Sequence, residues 1–535
     1  MANAFTRREL LVGAPLAALS LGACGKRRHG DKAAILLRGN GPDPDSLDPH
    51  RARSTEAMMV LRDLFECLTR LDAQAAPAPG AAESWSVSED GRVYTFTLRK
   101  NLRWSTGEAV VADDFAAGLR RLVDPATASQ YAQVVDVILN APDIIAGKAT
   151  VDRLGVAAPD DHTVVITLSA PAPYLPGLMA HPSCAPLHRP SLASLGDRFS
   201  RPGSQVSNGA FVLKEWLQGS SIRAERNPYY WNNAANRIDA VKYLQIADEN
   251  AELRAYRAGE LHCTYVVPRG QFDWIKENLA AELHVSPQLS VNYYGFNLDR
   301  RRFTPKIRQA LSMAIDRERL ANSVLRLGEL PAWGWVPPGT FNYTAQTFDY
   351  ANTSAADRVA VARRLLAEEG FTPEKPLVFE LRYNSGEVHN KVAVAVASMW
   401  KETLGVEAKL AAVEFRSLMA DVERRDIDVY RLSWVGDYND AYNFLQYLKS
   451  DFGINLPHYS SQAYDTLLRE AGQQSDATRR RELLQQAERL MLADHPVIPL
   501  YFYVNKHLVK PELLGWYDNV MNVVYSQDLR LAARS

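Results

Sequence analysis

Between residues 376 and 434 the apolar residues switch repeatedly between the two spacings that mark helices and strands. Residues 376–383 read as a strand, 389–404 as a helix stopped by Gly405, and 406–410 as a strand. Residues 414–424 then read as a helix and 427–434 as a strand. The same order recurs earlier: a strand at 241–247, a helix at 248–258 with Gly259 at its C-terminal side, and a strand at 261–266. Strand–helix–strand order points to an α/β fold. A chain of 535 residues is too long for one compact core, so more than one domain is expected.

The texture between residues 66 and 188 is different. Asp90-Gly91 is a hairpin signal ahead of an alternating strand at 93–98. A helix at 111–122 carries Asp113 and Asp114 near its start, where the helix dipole favours acids. A further strand follows at 161–168. This segment reads as a β-rich α+β unit of domain size.

The strand at 427–434 runs into a turn cluster, Gly436-Asp437-Tyr438-Asn439-Asp440. Tyr430, Leu432 and Trp434 alternate with Arg431, Ser433 and Val435, so a cation, an indole and a carboxylate fall close together. Arg431 and Asp437 are six residues apart, roughly 20 Å of extended chain at 3.3 Å per residue. That is about the reach of a short extended peptide with one charge at each end. An edge strand with solvated charges and a core tryptophan fits the same residues.

Composition narrows the function. A net charge of -1 and a pI of about 6.9 carry no sign of the basic stripe of a nucleic-acid binder. The chain contains no G-x-S-x-G, H-E-x-x-H, Walker or G-x-G-x-x-G motif, and its 11 histidines lack metal spacing. No catalytic residue, metal or cofactor is expected, and a binding protein fits better than an enzyme. Cys67, Cys184 and Cys263 form no C-x-x-C, which leaves one disulfide or free buried thiols open.

Residues 1–24 read as an export signal, with Arg7 and Arg8 before an apolar run too short to span a bilayer. Leu21-Gly22-Ala23-Cys24 resembles a bacterial lipobox, which implies lipidation of Cys24 and attachment to a membrane. The arginine pair resembles a twin-arginine signal.

A series of further motifs carries a wider resemblance. It opens with Ser46-Leu47-Asp48-Pro49-His50, Asp63-Leu64-Phe65-Glu66, Ala82-Glu83-Ser84-Trp85 and Trp104-Ser105-Thr106-Gly107. Asn208-Gly209-Ala210-Phe211, Asn227-Pro228-Tyr229-Tyr230-Trp231 and Tyr256-Arg257-Ala258-Gly259-Glu260 continue it in the same order. From about residue 33 to 530 the chain resembles the oligopeptide-binding proteins of bacterial ABC importers, extracellular solute-binding family 5.

The resemblance implies a two-lobed periplasmic-binding-protein fold (type II, cluster C) with an additional smaller α+β domain. Lobe I would comprise residues 25–65, 189–288 and 505–535, the extra domain 66–188, and lobe II 289–504. By the match of G-D-Y-N-D, Asp437 would pair with a peptide's α-ammonium. Arg431 and His389 would hold the C-terminal carboxylate of a tripeptide. Ser433, Trp434 and Val435 would pair main chain to main chain with the ligand, Trp434 also walling the pocket, and Tyr131 would reach in from the smaller domain.

The implied function is capture of short peptides, about two to five residues, by an exported, lipid-anchored monomer on the periplasmic side. The peptide would pass to an ABC permease of the inner membrane, with no nucleic acid involved. A receptor for cell-wall murein tripeptide would use the same anchors. An extracytoplasmic peptide hydrolase or chaperone is the reading from another class. Four positions depart from the family pattern. Arg53 and Gly295 stand where relatives carry acids, so that Arg53 would make a pocket cationic and Gly295 would enlarge one. Val435 stands in place of a cysteine, and Val422 in place of a further ligand-binding arginine.

Overall fold

The computed structural model describes residues 33–372 and 374–532. The export signal and Cys24 lie outside the described residues. Three larger sheets organise them. The first sets Ile35–Gly39 parallel to Ala240–Leu244, followed by Ser221–Arg226 and Phe211–Leu217. The second, wholly antiparallel, orders Ala82–Val87, Val93–Leu98, Thr163–Thr167 and Val156–Asp160. Its hairpin turns at Gly91, whose φ of 69° suits glycine, and the helix Ala112–Val123 packs its apolar face against it.

The third sheet has six strands, in the order Leu330–Pro331, Val497–Leu508, Leu283–Phe296, Val429–Val435, Val378–Asn384 and Glu407–Val413. Its last three strands derive from the strand–helix alternation, with the helices Glu387–Leu404 and Phe415–Glu423 as connections. Pairing among those three is parallel, as such crossovers require. The helix Glu387–Leu404 ends where Gly405 adopts a left-handed φ of 69°.

Two long antiparallel strands, Leu283–Phe296 and Val497–Leu508, link separate apolar clusters. Leu283 and Leu508 pack with Leu253, Tyr256, Phe272 and Ile275, whereas Val291 to Phe296 and Val497 to Phe502 belong to the core of the six-stranded sheet. The pairing register shifts between Pro287 and Val291, in the middle of the link.

Residues 261–266 do not form the expected strand. Cys263 makes only single bridges, to Arg38 on one side and Val509 on the other. The carboxylate of buried Glu252 accepts the N–H groups of Tyr265 at 2.7 Å and Val266 at 3.3 Å, so a side chain takes the donors that a ladder would use. Glu488, also fully buried, straps a loop to the core: it accepts N–H groups from Trp335, Val336 and Gln346 and the Tyr343 hydroxyl. Burial raises both acids to a pKa of about 7 against these hydrogen bonds.

Candidate functional site

The strand Val429–Val435 pairs with Leu283–Phe296 along its whole length, from Phe296↔Val429 to Ser290↔Val435. On its other side it pairs with Val378–Asn384 only at Leu381↔Val429 and Arg382↔Tyr430. Beyond Tyr430 that edge carries no strand among the described residues. Gly436 donates its N–H to Leu289 O at 2.8 Å, so its main chain faces the long strand. Strand alternation then aims the main-chain groups of Arg431, Ser433 and Val435 at the open edge. Ser433 and Val435 are exposed. Trp434 departs from the expected pairing: the same alternation turns its own N–H and C=O to the long strand, opposite Val291.

Arg431 is 6% exposed. Its guanidinium donates to Asn292 Oδ1 at 3.3 Å, Asn384 Oδ1 at 3.0 Å and Tyr503 Oη at 2.8 Å. Asn292 Nδ2 also donates to Tyr503 Oη, at 2.8 Å, which closes the network. No carboxylate forms an ion pair with Arg431 among the described residues. A buried cation held only by neutral dipoles is a costly arrangement that an incoming anion relieves.

Asn384 ends its strand, and the chain turns through Ser385 and Gly386 into the helix Glu387–Leu404, whose first turn carries His389. A Cβ on Gly386 would lie 3.2 Å from the His389 ring, so the imidazole folds back over the glycine. The neighbouring Asn390 is held by the Tyr383 hydroxyl at 2.8 Å. His389 is half-buried, and its pKa falls to about 4 through burial first, then the charges of Arg431 and Arg269. It is therefore neutral at pH 7, with a ring N–H available to a carboxylate.

The turn after the strand divides its tasks. Tyr438 stacks on Tyr174 with ring centroids 4.5 Å apart. Asn439 accepts the Phe341 N–H at 2.9 Å and donates to Ala75 O at 3.1 Å. Asp440 forms a buried two-point pair with Arg480 at 2.8 and 2.9 Å and caps the helix Ala441–Leu445. These three anchor the turn, and a cavity of about 250 Å³ lies among Tyr174, Phe341, Tyr438 and Arg480.

Asp437 alone of the turn's polar side chains is exposed. Its carboxyl nevertheless sits in a recess, and this desolvation raises its pKa; Asn443 lowers it in part. Asn443 accepts the indole N–H of Trp434 at 2.9 Å. Trp434 is half-buried, 4.9 Å from the Tyr447 ring, and so serves as both wall and core.

Tyr131 stands near this end. Its ring lies 4.8 Å from that of His181, and its hydroxyl donates to Arg53 O at 3.3 Å. Burial raises its pKa, and the Asp437 charge adds to the rise. Arg431 and His389 thus cluster at one end of the open edge, with Asp437 and Tyr131 at the other.

The departures from the family pattern resolve as follows. Arg53 pairs with Asp45 at 3.2 Å, which offsets its charge. Gly295 enlarges no pocket: it lies opposite Tyr430, whose ring would come within 2.6 Å of an added Cβ, and Tyr430 is fully buried. Val422 is buried core. Cys67, Cys184 and Cys263 are buried free thiols. Sequence reasoning missed Asn292, Asn384, Tyr503 and Asn443. The first three reach Arg431 from separate strands, so no local pattern announces them.

The chain is similar to known proteins over most of its length. The family model "Bacterial extracellular solute-binding proteins, family 5 Middle" matches residues 76–455. The periplasmic oligopeptide-binding protein OppA of Salmonella typhimurium is 41% identical over 485 residues, 90% of this chain and 89% of that protein. The unliganded open form of the periplasmic murein tripeptide-binding protein MppA superposes with a TM-score of 0.88 at 37% identity, covering 94% of this chain and 98% of that one. The Haemophilus influenzae OppA complex with the peptide RPPGFSPFR gives 0.72 at 35% identity, covering 94% and 99%.

Proposed function

The chain belongs to the bacterial extracellular solute-binding proteins of family 5 and has their periplasmic-binding-protein fold, and from that premise we propose that it captures short peptides outside the inner membrane and delivers them to an ABC transporter. One observation carries the ligand class: an open strand edge at Ser433 and Val435 lies between a carboxylate, Asp437, and an uncompensated cation, Arg431. A peptide binds there as an added strand, its ammonium toward Asp437 and its carboxylate toward Arg431 and the His389 N–H. Main-chain pairing and two charged ends recognise a peptide without reading its side chains.

The expected division into lobe I, lobe II and the extra domain belongs to the same proposal. The two long strands linking separate clusters support it, with a hinge near their register shift. Greater similarity to the open MppA form than to the OppA–peptide complex, at nearly equal identity, supports reading this structure as the open state. Tyr131 then closes over the ammonium end. Lipid attachment at Cys24 and a monomeric state complete the proposal, the first supported by the spacing Leu21-Gly22-Ala23-Cys24.

Calorimetry with Ala-Ala-Ala tests the function: saturable one-to-one binding is expected, and its absence would overturn the reading. Peptide recovered intact after incubation distinguishes a receptor from a hydrolase. The 37% identity to a murein peptide-binding protein over 92% of this chain supports a second candidate ligand for the same site, and competition between a murein tripeptide and Ala-Ala-Ala ranks the two.

A further inference from the structure

Cys67 and Cys184 have no role in the peptide site derived above, yet the fold brings them to one atom. The thiol of Cys67 donates to His181 O at 3.4 Å, and the N–H of Cys184 donates to the same oxygen at 2.8 Å. The backbone around Cys67 runs beside the stretch that leads to Cys184. Thr69 Oγ1 donates to Pro176 O at 2.5 Å, and the Thr69 N–H donates to Met179 O at 3.5 Å. Cys67 is 6% exposed and Cys184 2%, and both belong to one apolar cluster. Cys263 stands elsewhere, bridging Arg38 and Val509. Burial raises both thiols, Cys184 to about 12, and the charge of Cys184 adds to the rise at Cys67.

Between these two cysteines lies the whole antiparallel sheet of Ala82–Val87, Val93–Leu98, Thr163–Thr167 and Val156–Asp160, together with the helix Ala112–Val123. The chain leaves for this unit past one cysteine and returns from it past the other. A covalent bond between them closes the unit at its base. Such a bond removes more freedom from the unfolded chain the longer the segment it closes. The periplasmic setting proposed above is one in which disulfides form and persist. Raised pKa values leave the folded thiols unreactive, so oxidation belongs to the folding chain, before the thiols are buried.

We propose that Cys67 and Cys184 are a modification site, joined as a disulfide by thiol–disulfide exchange while the chain folds. The thiolate of one cysteine attacks a disulfide-bearing oxidant, forming a mixed disulfide and releasing one of the oxidant's sulfurs as a thiol. The second cysteine attacks the sulfur of the first, and the oxidant's other sulfur leaves as a thiol. The two cysteines give up two electrons and two protons, and the oxidant's disulfide takes both. The proposal does not depend on the peptide reading of the site.

The full chain refolded with oxidised and reduced glutathione, then labelled with N-ethylmaleimide in denaturant and mapped by peptide mass spectrometry, tests it. Cys263 is expected to be labelled, and Cys67 and Cys184 to be recovered in one cross-linked peptide pair. Labelling of both Cys67 and Cys184, or a bond from either to Cys24 or Cys263, overturns the proposal. Thermal melting gives a second readout. The oxidised wild type is expected to melt at least about 5 °C above Cys67→Ala, Cys184→Ala and the double variant, and the three variants to agree within about 2 °C, because each loses the same single bond. A double variant whose loss equals the sum of the two single losses also overturns the proposal, since two separate packing defects then account for both.

Discussion

The guanidinium of Arg431 donates to the hydroxyl of Tyr503 at 2.8 Å, across two strands that do not touch each other in the sheet. The strand between them contributes Asn292, which binds both. Three neighbouring strands therefore aim one cation.

Tyr503→Phe removes one of the three hydrogen bonds without removing the charge. Tripeptide affinity is expected to fall about fivefold, the scale of about 1 kcal/mol for one hydrogen bond. Arg431→Met removes the charge and is expected to cost at least 100-fold. Calorimetry with Ala-Ala-Ala checks both, and circular dichroism confirms that each variant is folded. Equal affinities in wild type and Arg431→Met would remove this residue from the site.

Asp437→Ala is expected to weaken tripeptide binding by roughly 10- to 150-fold, since charge-assisted bonds contribute about 1.5–3 kcal/mol each. The residue is exposed and the turn is held by its neighbours Tyr438, Asn439 and Asp440, so the melting temperature should stay within a few degrees of wild type. N-acetylation of the peptide should reproduce the loss on the unaltered protein.

The two charged ends titrate with opposite signs. In the empty site the Asp437 pKa is raised, and a bound ammonium lowers it, so affinity should fall as pH drops through the raised value. His389 starts at about 4, and a bound carboxylate raises its pKa, so this end should gain affinity as pH falls toward 5. Asp437→Asn should remove the acid-side loss and leave only the His389 gain. Calorimetric affinities from pH 8 to 5 separate the slopes, and parallel profiles in both proteins would exclude Asp437 as the titrating anchor.

Replacing a ligand amide by an ester removes one N–H that would donate to the open edge at Ser433 or Val435. The expected loss is about tenfold for an ester at the amide facing that edge. An unchanged affinity for every ester position would mean that the peptide does not lie along the strand.

Glu252 and Glu488 make stability depend on pH in a defined direction. Both titrate near 7 when folded, above the ordinary value of 4.5. Each contribution is therefore complete below about pH 4.5 and lost as pH rises through about 7. Urea unfolding should show a stability decline across that window. Glu252→Gln should shrink it, because the amide oxygen still accepts the Tyr265 N–H and no proton is exchanged. An undiminished slope would assign the pH dependence elsewhere.

Much of the fold was legible wherever one amphipathic period persisted. The helix expected at 389–404 is Glu387–Leu404, and the strand expected at 427–434 is Val429–Val435. Legibility failed where a distant partner decides. The first half of the strand Leu283–Phe296 mixes in His284, Ser286, Pro287 and Gln288 and is shaped by pairing with residues 504–508. Ser221–Arg226 reads as polar and becomes a strand because its neighbours bracket it on both sides. In the site, Asp437 and Arg431 stood out through charge and spacing. Asn292, Asn384 and Tyr503 did not, because what joins them is the sheet rather than the local sequence.

Gly295 and Tyr430 face each other across neighbouring strands, the phenol ring filling the space a side chain at 295 would need. The two positions are consequently sterically coupled: a side chain at 295 needs the space that the Tyr430 ring fills. An acid at 295 requires a smaller residue at 430, and that second change made alone leaves a void in the core. No single substitution at 295 can therefore place a carboxylate there without displacing the Tyr430 ring from the core.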